Sequence, residues 1–299
     1  MSKPWFIYAL VTTLFWGVWG AFAEFPTRHG FPETLVYVVW TLTMIPPAIY
    51  AMQRVGWKVQ YDAKSILLGA LIGFTGAGGQ MLLFHAVHTG PTYLIFPIIA
   101  LSPVVTIGLS MVFLKERVSK LGAFGVLLAL VALPLFNYSP GGDGTPGQQG
   151  LTWFVYALII LLAWGVQGYF MKLANASMNA ENIFLYMTLT GLLLVPIALW
   201  MTDFSAPINY GWQGPGLAGM TQILNAVGAL TLVYAFRYGR ALVVAPLANA
   251  GAPMITAIVS MIVLSVMPNT ITIIAVALAF AAAALLAIEP EEKLVEQPT

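Results

Sequence analysis

The sequence predicts an all-α membrane protein: ten transmembrane helices, arranged as two inverted five-helix repeats, with both termini cytoplasmic. Three observations predict it. The first is composition. Of 299 residues, 60% are hydrophobic and only 8% are charged, with a mean hydropathy of +0.87. A soluble globular chain does not have this balance. The second is an internal duplication. The stretch Gly79 to Leu114 recurs as Gly228 to Leu264. Gly79 meets Gly228, Ala86 meets Ala235, Gly90 meets Gly239 and Pro97 meets Pro246. After a one-residue slip, Pro103 meets Pro253, Thr106 meets Thr256, Ser110 meets Ser260 and Met111 meets Met261. Apolar segments often resemble one another by chance, but seldom with the same two prolines, glycine turn and Thr/Ser pair in order. The third is the placement of positive charge, taken up below.

Ten apolar runs are free of Asp, Glu, Lys and Arg, at roughly 4–23, 34–52, 65–88, 91–114, 121–137, 151–171, 182–202, 216–236, 241–266 and 270–288. A bilayer core of about 30 Å needs roughly 20 such residues per helix. The first run, of about 20 residues, reads as a retained span rather than a signal peptide. The third and fourth meet at Pro91 around the turn His88-Thr89-Gly90-Pro91, which predicts an antiparallel hairpin. The fifth is the shortest. Ser139 to Gly150, SPGGDGTPGQQG, cannot hold a helix and reads as an extracytoplasmic linker, 139–150, between the repeats 1–138 and 151–288. The polar stretch 289–299, with Glu289, Glu291, Glu292 and Glu296, reads as a cytoplasmic tail.

With the N-terminus inside, all of the 12 Lys and Arg residues except Arg28 fall on the cytoplasmic side. The opposite orientation inverts that bias, so the positive-inside rule selects N-in, C-in. Five helices are an odd number, so the second repeat enters from the other face. Inverted repeats of this kind place a binding site near the midplane between them. The first helices agree with the pairing. Tyr8-Ala9-Leu10 matches Tyr156-Ala157-Leu158, and Trp16-Gly17-Val18-Trp19-Gly20 matches Trp164-Gly165-Val166-Gln167-Gly168. Thr41-Leu42-Thr43 pairs with Thr188-Leu189-Thr190.

These residues resemble the drug/metabolite transporter superfamily, in its ten-helix form with two EamA-type repeats. The resemblance rests on Trp16-Gly17 and Trp164-Gly165, on Ala86-x-x-x-Gly90 and Ala235-x-x-x-Gly239, on the paired prolines, and on Leu114-Lys115-Glu116-Arg117 closing the fourth helix. It covers almost the whole chain. One departure stands out: the second half has Leu264-Ser265-Val266 where a counterpart of Glu116 is expected. The resemblance implies exporters of amino acids and other metabolites first, then sugar and nucleotide-sugar carriers.

Composition also excludes. A net charge of +1 gives no case for nucleic acid, and the absence of cysteine removes disulfides, thiol catalysis and Cys-based metal sites. No H-E-x-x-H, Gly-x-Ser-x-Gly, P-loop or paired acid within a span is present. The chain is expected to be neither an enzyme nor an ATP-driven pump, and to need no cofactor or metal. Its expected partners are a small-molecule substrate and the bilayer, as a monomer or homodimer in the cell (inner, cytoplasmic) membrane.

Two kinds of residue point to a site. Trp5, Trp57, Trp153, Trp200 and Trp212 lie at run ends and read as an interfacial belt. Trp16, Trp19, Trp40 and Trp164 lie inside runs, and either pack between helices or line a cavity. The amides Gln80, Gln167, Gln222, Asn225 and Asn249 also lie inside runs, where each must be tied between helices or face water, because a buried unpaired amide costs a few kcal/mol. Gly73, Gly76 and Gln80 share one helix face, and Gln222, Asn225 and Ala229 occupy the equivalent face of the other repeat. The expected substrate site is therefore Trp16, Trp19, Gly76, Gln80, Trp164, Gln167, Gln222, Asn225 and Asn249. The glycines of 69–79 read equally as close helix packing. Pro97, Pro103, Pro246 and Pro253 read as packed kinks, or as hinges and cavity walls. Glu24 and His85 are the proton-coupling candidates, against an interfacial reading for both. The expected function is secondary transport of a small neutral or zwitterionic metabolite, an amino acid or similar, in the export direction across the cytoplasmic membrane by alternating access. A sugar or nucleotide-sugar type carrier is the alternative, with an intramembrane enzyme or non-transporting scaffold as a third.

Overall fold

The computed structural model describes residues 4–89, 98–136, 152–263 and 269–288. Pro97, the linker 139–150, the segment around Val266 and the tail lie outside them, as do the side chains of His85 and His88. Every described element is helical. The helices are α1 Pro4–Phe22, α2 Phe25–Arg28, α3 Glu33–Thr43, α4 Ile45–Arg54, α5 Ala63–Thr89, α6 Ser102–Phe113, α7 Lys120–Phe136, α8 Thr152–Ala174, α9 Ala180–Leu193, α10 Val195–Trp200, α11 Leu217–Tyr238, α12 Ala241–Val263 and α13 Thr270–Ala287. A π-helical turn, Trp212–Gly216, leads into α11. Among the described residues, seven segments are long and apolar enough to cross a membrane, and α6, α7 and α13 are shorter apolar helices. Large apolar side chains stand exposed along the outer faces, as with Ile7, Leu10 and Leu14 on α1 and Leu127 and Val131 on α7.

Local sequence explains the starts and breaks. The Asp62 carboxylate caps α5 by accepting from the Ser65 amide at 3.1 Å and from the Ser65 hydroxyl. Those two bonds hold the Asp62 carboxyl below the usual carboxylate range, the hydroxyl contributing most. Asn269 caps α13 through the Thr272 amide at 2.8 Å. The second span of each half bends at a proline: α4 follows α3 at Ile45-Pro46-Pro47, and α10 follows α9 at Val195-Pro196. Proline in a first turn forfeits only N–H groups that start a helix anyway. The ladder resumes at once, with Ala48 N–H to Met44 O at 3.0 Å and Ala198 N–H to Leu194 O at 3.2 Å.

The halves exchange their first helices. α1 packs most extensively on α11 and α12 of the second half. α8, the first helix of the second half, packs on α5 and α6 of the first. Two bundles result, α5–α6–α8 and α1–α11–α12. α3–α4 and α9–α10 flank them and touch each other, and α7 pairs with α13.

Glycine lets the helices of each bundle approach, and it does so at equivalent positions. A Cβ on Gly79 would sit 2.5 Å from Trp164 Nε1, and one on Gly228 would sit 2.5 Å from Trp16 Cδ1. Cβ atoms on Gly20 and Gly168 would crowd the hydroxyls of Thr256 and Thr106. Along α5, Gly69 and Gly73 leave room for Tyr186 and Thr190 of α9, and Gly76 for Gln167 of α8. The small-residue face of α5 is thus a packing surface, as the close-packing reading holds.

Loops tie the halves at both ends. At one, Gln60 Oε1 accepts from the Asn179 amide at 2.7 Å, and Tyr186 donates to Gln60 O at 2.8 Å. At the other, the Asn209 amide donates to Gly30 O at 3.0 Å and its side chain to His29 O at 2.9 Å. The first end also holds Lys172, Glu116 and Arg240 and is called the Lys172 end. The second is the Glu24 end.

Gly78 and Gly79 give a paired test. Nothing lies within 4 Å of a Cβ built on Gly78. Gly79→Ala should lower stability by about 1–3 kcal/mol through overpacking against Trp164. Gly78→Ala should be neutral or stabilising by up to about 1 kcal/mol. Unfolding of both variants in mixed micelles measures the difference.

Candidate functional site

Each bundle is tied internally at equivalent positions. Trp16 on α1 donates its indole N–H to Asn225 O on α11 at 3.2 Å. Trp164 on α8 donates to Gly76 O on α5, also at 3.2 Å. Thr256 on α12 donates to Gly17 O at 2.8 Å, and Thr106 on α6 to Gly165 O at 2.8 Å. These bonds fix the two tryptophan rings at the inner edge of each bundle.

A cavity of about 280 Å³ lies between the bundles. Its aromatic wall is Trp16, Trp19, Trp40 and Trp164. Its amides are Gln80, Gln167, Asn225 and Asn249, with Ser102 and Thr106 beside them, and Gly73, Gly76 and Ala229 give it width. A wider space of about 640 Å³ shares Trp16, Trp19, Trp40, Trp164, Gln80, Asn225 and Asn249, and continues past Gln222 to Glu24, Thr27 and Glu33. The two form one passage from mid-molecule to the Glu24 end. Neither is lined by Lys or Arg among the described residues, and the inner cavity has no charged lining residue.

The amides are partly engaged. Asn225 donates to Gln222 Oε1 at 3.2 Å, one turn away, and Asn249 donates to Ala245 O at 2.9 Å. The Trp19 and Trp40 indole N–H groups are buried with no acceptor among the described residues. Buried polar groups are nearly always paired, so two unpaired donors on one cavity wall are unusual.

Toward the Lys172 end the helices are tied by side chains. The inner cavity stops at Met171, Leu232, Phe236 and Ala245. Beyond them, Tyr8 stacks between Tyr234 at 5.0 Å and Tyr238 at 5.9 Å between ring centroids. Tyr234 donates to Glu181 at 2.7 Å, and Asn175 to Val233 O at 3.1 Å.

A family model for EamA-like transporters matches residues 3–138 and again 151–288. The chain belongs to the EamA-like transporter family. It is accordingly a multi-pass membrane protein of the drug/metabolite transporter type, and members of this family are transporters rather than enzymes. Protein LicB of Haemophilus influenzae is 23% identical over 223 residues, 68% of this chain and 70% of that protein. The uncharacterized protein MJ1333.1 of Methanocaldococcus jannaschii is 22% identical over 133 residues, 44% of this chain and 96% of that protein. A solved crystal structure superposes with a TM-score of 0.78 at 16% identity, covering 94% of this chain and 98% of its own. That likeness carries the fold alone.

The EamA fold brings together Trp16, Trp19, Gly76, Gln80, Trp164, Gln167, Asn225 and Asn249 around the inner cavity, with Gln222 on its wider extension. The other candidates scatter. Pro103 lines the cavity and stands in the first turn of α6, just after helical residues 98–99 and a turn at 100–101. Pro253 lines the wider space, Pro246 neither, and α12 runs through both without a break. Glu24 lines the mouth, is 72% exposed, and pairs with Arg28 at 2.7 Å. Sequence reading did not select Ser102, Thr106 or Glu33 as lining residues, nor Thr256 as a tie. The Thr106/Thr256 repetition was the available signal for the ties. Glu33 gave none, since it sits at the start of α3, before the apolar run.

Trp16→Phe and Trp164→Phe replace each indole by a smaller ring and delete its bond. Each should cost about 1 kcal/mol of stability, and the two costs should agree within about 0.5 kcal/mol. Equilibrium unfolding of the single variants measures both.

Proposed function

We propose that this protein is a secondary transporter for a small neutral or zwitterionic metabolite, working by alternating access, with this structure as the state open at the Glu24 end. The observation that carries the reading is the passage between the two bundles, lined by described residues as far as Glu24 in one direction and ending among Met171, Leu232, Phe236 and Ala245 in the other. Rocking one bundle against the other exchanges the open end while the internal ties stay intact.

The lining argues for the substrate class. A phosphorylated substrate calls for Lys or Arg, and none lines the passage among the described residues. Aromatic faces with a few amides suit a compact, polar, uncharged or zwitterionic solute. The unpaired Trp19 and Trp40 donors suit one with acceptor oxygens. An inner cavity of about 280 Å³ fits a molecule of amino-acid size. A sugar is the second reading, because indole faces beside Gln and Asn also match a pyranose. Glu24, exposed and paired with Arg28, has no coupling role in this reading.

The charge pattern orients the chain with the Lys172 end in the cytoplasm, in a cytoplasmic membrane. The passage then opens outward, and export requires the opposite state to load. A topology reporter fused after Gly142 should read outside, and one after Thr299 inside. A cytoplasmic signal at position 142 contradicts both the ten-helix arrangement and the inverted repeat.

Flux of a panel of amino acids and monosaccharides in proteoliposomes tests the function. No flux of any solute by folded protein would sink the transport reading. Once a substrate is found, Gln80→Ala and Asn225→Ala should each weaken its binding by about 1–2 kcal/mol, roughly five- to thirtyfold, with the protein still folded. Wild-type affinity in both variants would mean that the shared face of α5 and α11 is packing.

A further inference from the structure

The turn between α11 and α12, Tyr238 to Ala241, is gripped from the opposite bundle by two charges of opposite sign. Lys172, near the end of α8, donates its ammonium to Phe236 O at 3.2 Å and Gly239 O at 2.8 Å. These carbonyls lie at the C-terminal end of α11. Glu116, just past α6 and 8% exposed, accepts from the Ala241 and Leu242 amides, each at 3.0 Å. These amides open α12. Arg240, within the turn, donates to Arg117 O at 2.7 Å. A cation on a helix C-terminus and an anion on a helix N-terminus both match the helix dipole. Lys172 and Glu116 belong to α5–α6–α8, and the turn belongs to α1–α11–α12. Unlike the bonds of Trp16, Trp164, Thr106 and Thr256, which lie within bundles, these cross between them.

The same device is not encoded in the other half. The sequence equivalent of Lys172 is Glu24, which has the wrong sign for a helix C-terminus and pairs with Arg28 at 2.7 Å. The equivalent of Glu116 is Val266. The loop ties, by contrast, occur at both ends, through Gln60 with Asn179 and through Asn209 with Gly30. Bonds present at both ends cannot favour one state over the other. Bonds available at one end only can.

We propose that Glu116 and Lys172 form a one-sided clamp that holds the Lys172 end shut and sets the resting state of the empty transporter open at the Glu24 end. The clamp rests on the alternating-access reading and adds its bias. Substrate must overcome the clamp for the Lys172 end to open. Neither residue touches the passage at the Glu24 end, so both act as positioning residues for the cycle.

The chain has no cysteine, so one introduced thiol is the only labelling site. Leu232 lines the blind end of the inner cavity. In Leu232→Cys protein without substrate, a membrane-impermeant maleimide added at the Glu24 face should label faster than the same reagent at the Lys172 face. Adding Glu116→Gln or Lys172→Gln, separately, should raise the rate from the Lys172 face roughly tenfold and lower it from the Glu24 face, as loss of a charge-assisted bond implies. Rates unchanged from both faces in both variants overturn the clamp. Rates that rise equally from both faces also overturn it, since they report general loosening. The labelling needs no substrate, so a failed clamp leaves the flux result standing, and absent flux leaves the labelling result standing.

Discussion

Within a bilayer, a main-chain carbonyl or a side-chain donor that finds no partner in the protein finds none at all. That constraint governs this molecule. Trp16, Trp164, Thr106 and Thr256 each send a donor across a helix interface to a carbonyl of the neighbouring helix. Such contacts require helix axes closer than ordinary side chains permit, and glycine permits it. Gly228 and Gly79 clear the space for the indoles, and Gly20 and Gly168 clear it for the threonines. The glycines are therefore the condition for satisfying polar groups inside each bundle. Rigid bundles are in turn the condition for a cavity between them that keeps its shape.

How the sequence encodes this is uneven. The duplication was legible because it conserves chemistry at fixed spacing: tryptophan, glycine, proline and threonine recur in order. The cavity residues were legible because an amide or an indole inside an apolar run has few bland explanations. The exchange of first helices was not legible. α1 and α8 carry the same Trp-Gly pattern whether they pack on their own half or on the other, and nothing local distinguishes the two. The prolines divide. Pro103 follows a break at residues 100–101 and lines the cavity, whereas α12 absorbs Pro246 and Pro253 without a break. The breaks before Pro46, Pro103 and Pro196 all lie in runs that read as single spans, because hydropathy does not register a turn that stays apolar.

Comparing the halves separates scaffold from function. Where both repeats carry the same residue, it performs the same packing task twice: Trp16 with Trp164, Thr106 with Thr256, Gly79 with Gly228. Several positions where they differ face the passage or an end of the molecule. Gly73, Gly76 and Gln80 on α5 stand against Gln222, Asn225 and Ala229 on α11, and all six line the passage. Trp19 faces it from α1 where its equivalent on α8 is Gln167. A scaffold built of two like parts can be symmetric at no cost. A small organic solute has no such symmetry, so the walls that meet it must diverge.

The same reasoning applies along the membrane normal. If both halves ended alike, closing one end would be as favourable as closing the other, and the empty protein would sample both states equally. The divergence at Glu116 against Val266 and Lys172 against Glu24 removes that equality. It does so with groups that cost little to leave solvated when the end opens. Lys172 and Glu116 sit where spans finish, so opening that end exchanges helix termini for solvent rather than stranding charges in hydrocarbon. A clamp of this kind can therefore be strong enough to set a resting state and still weak enough to release in each cycle. An ion pair buried at the midplane could not combine the two.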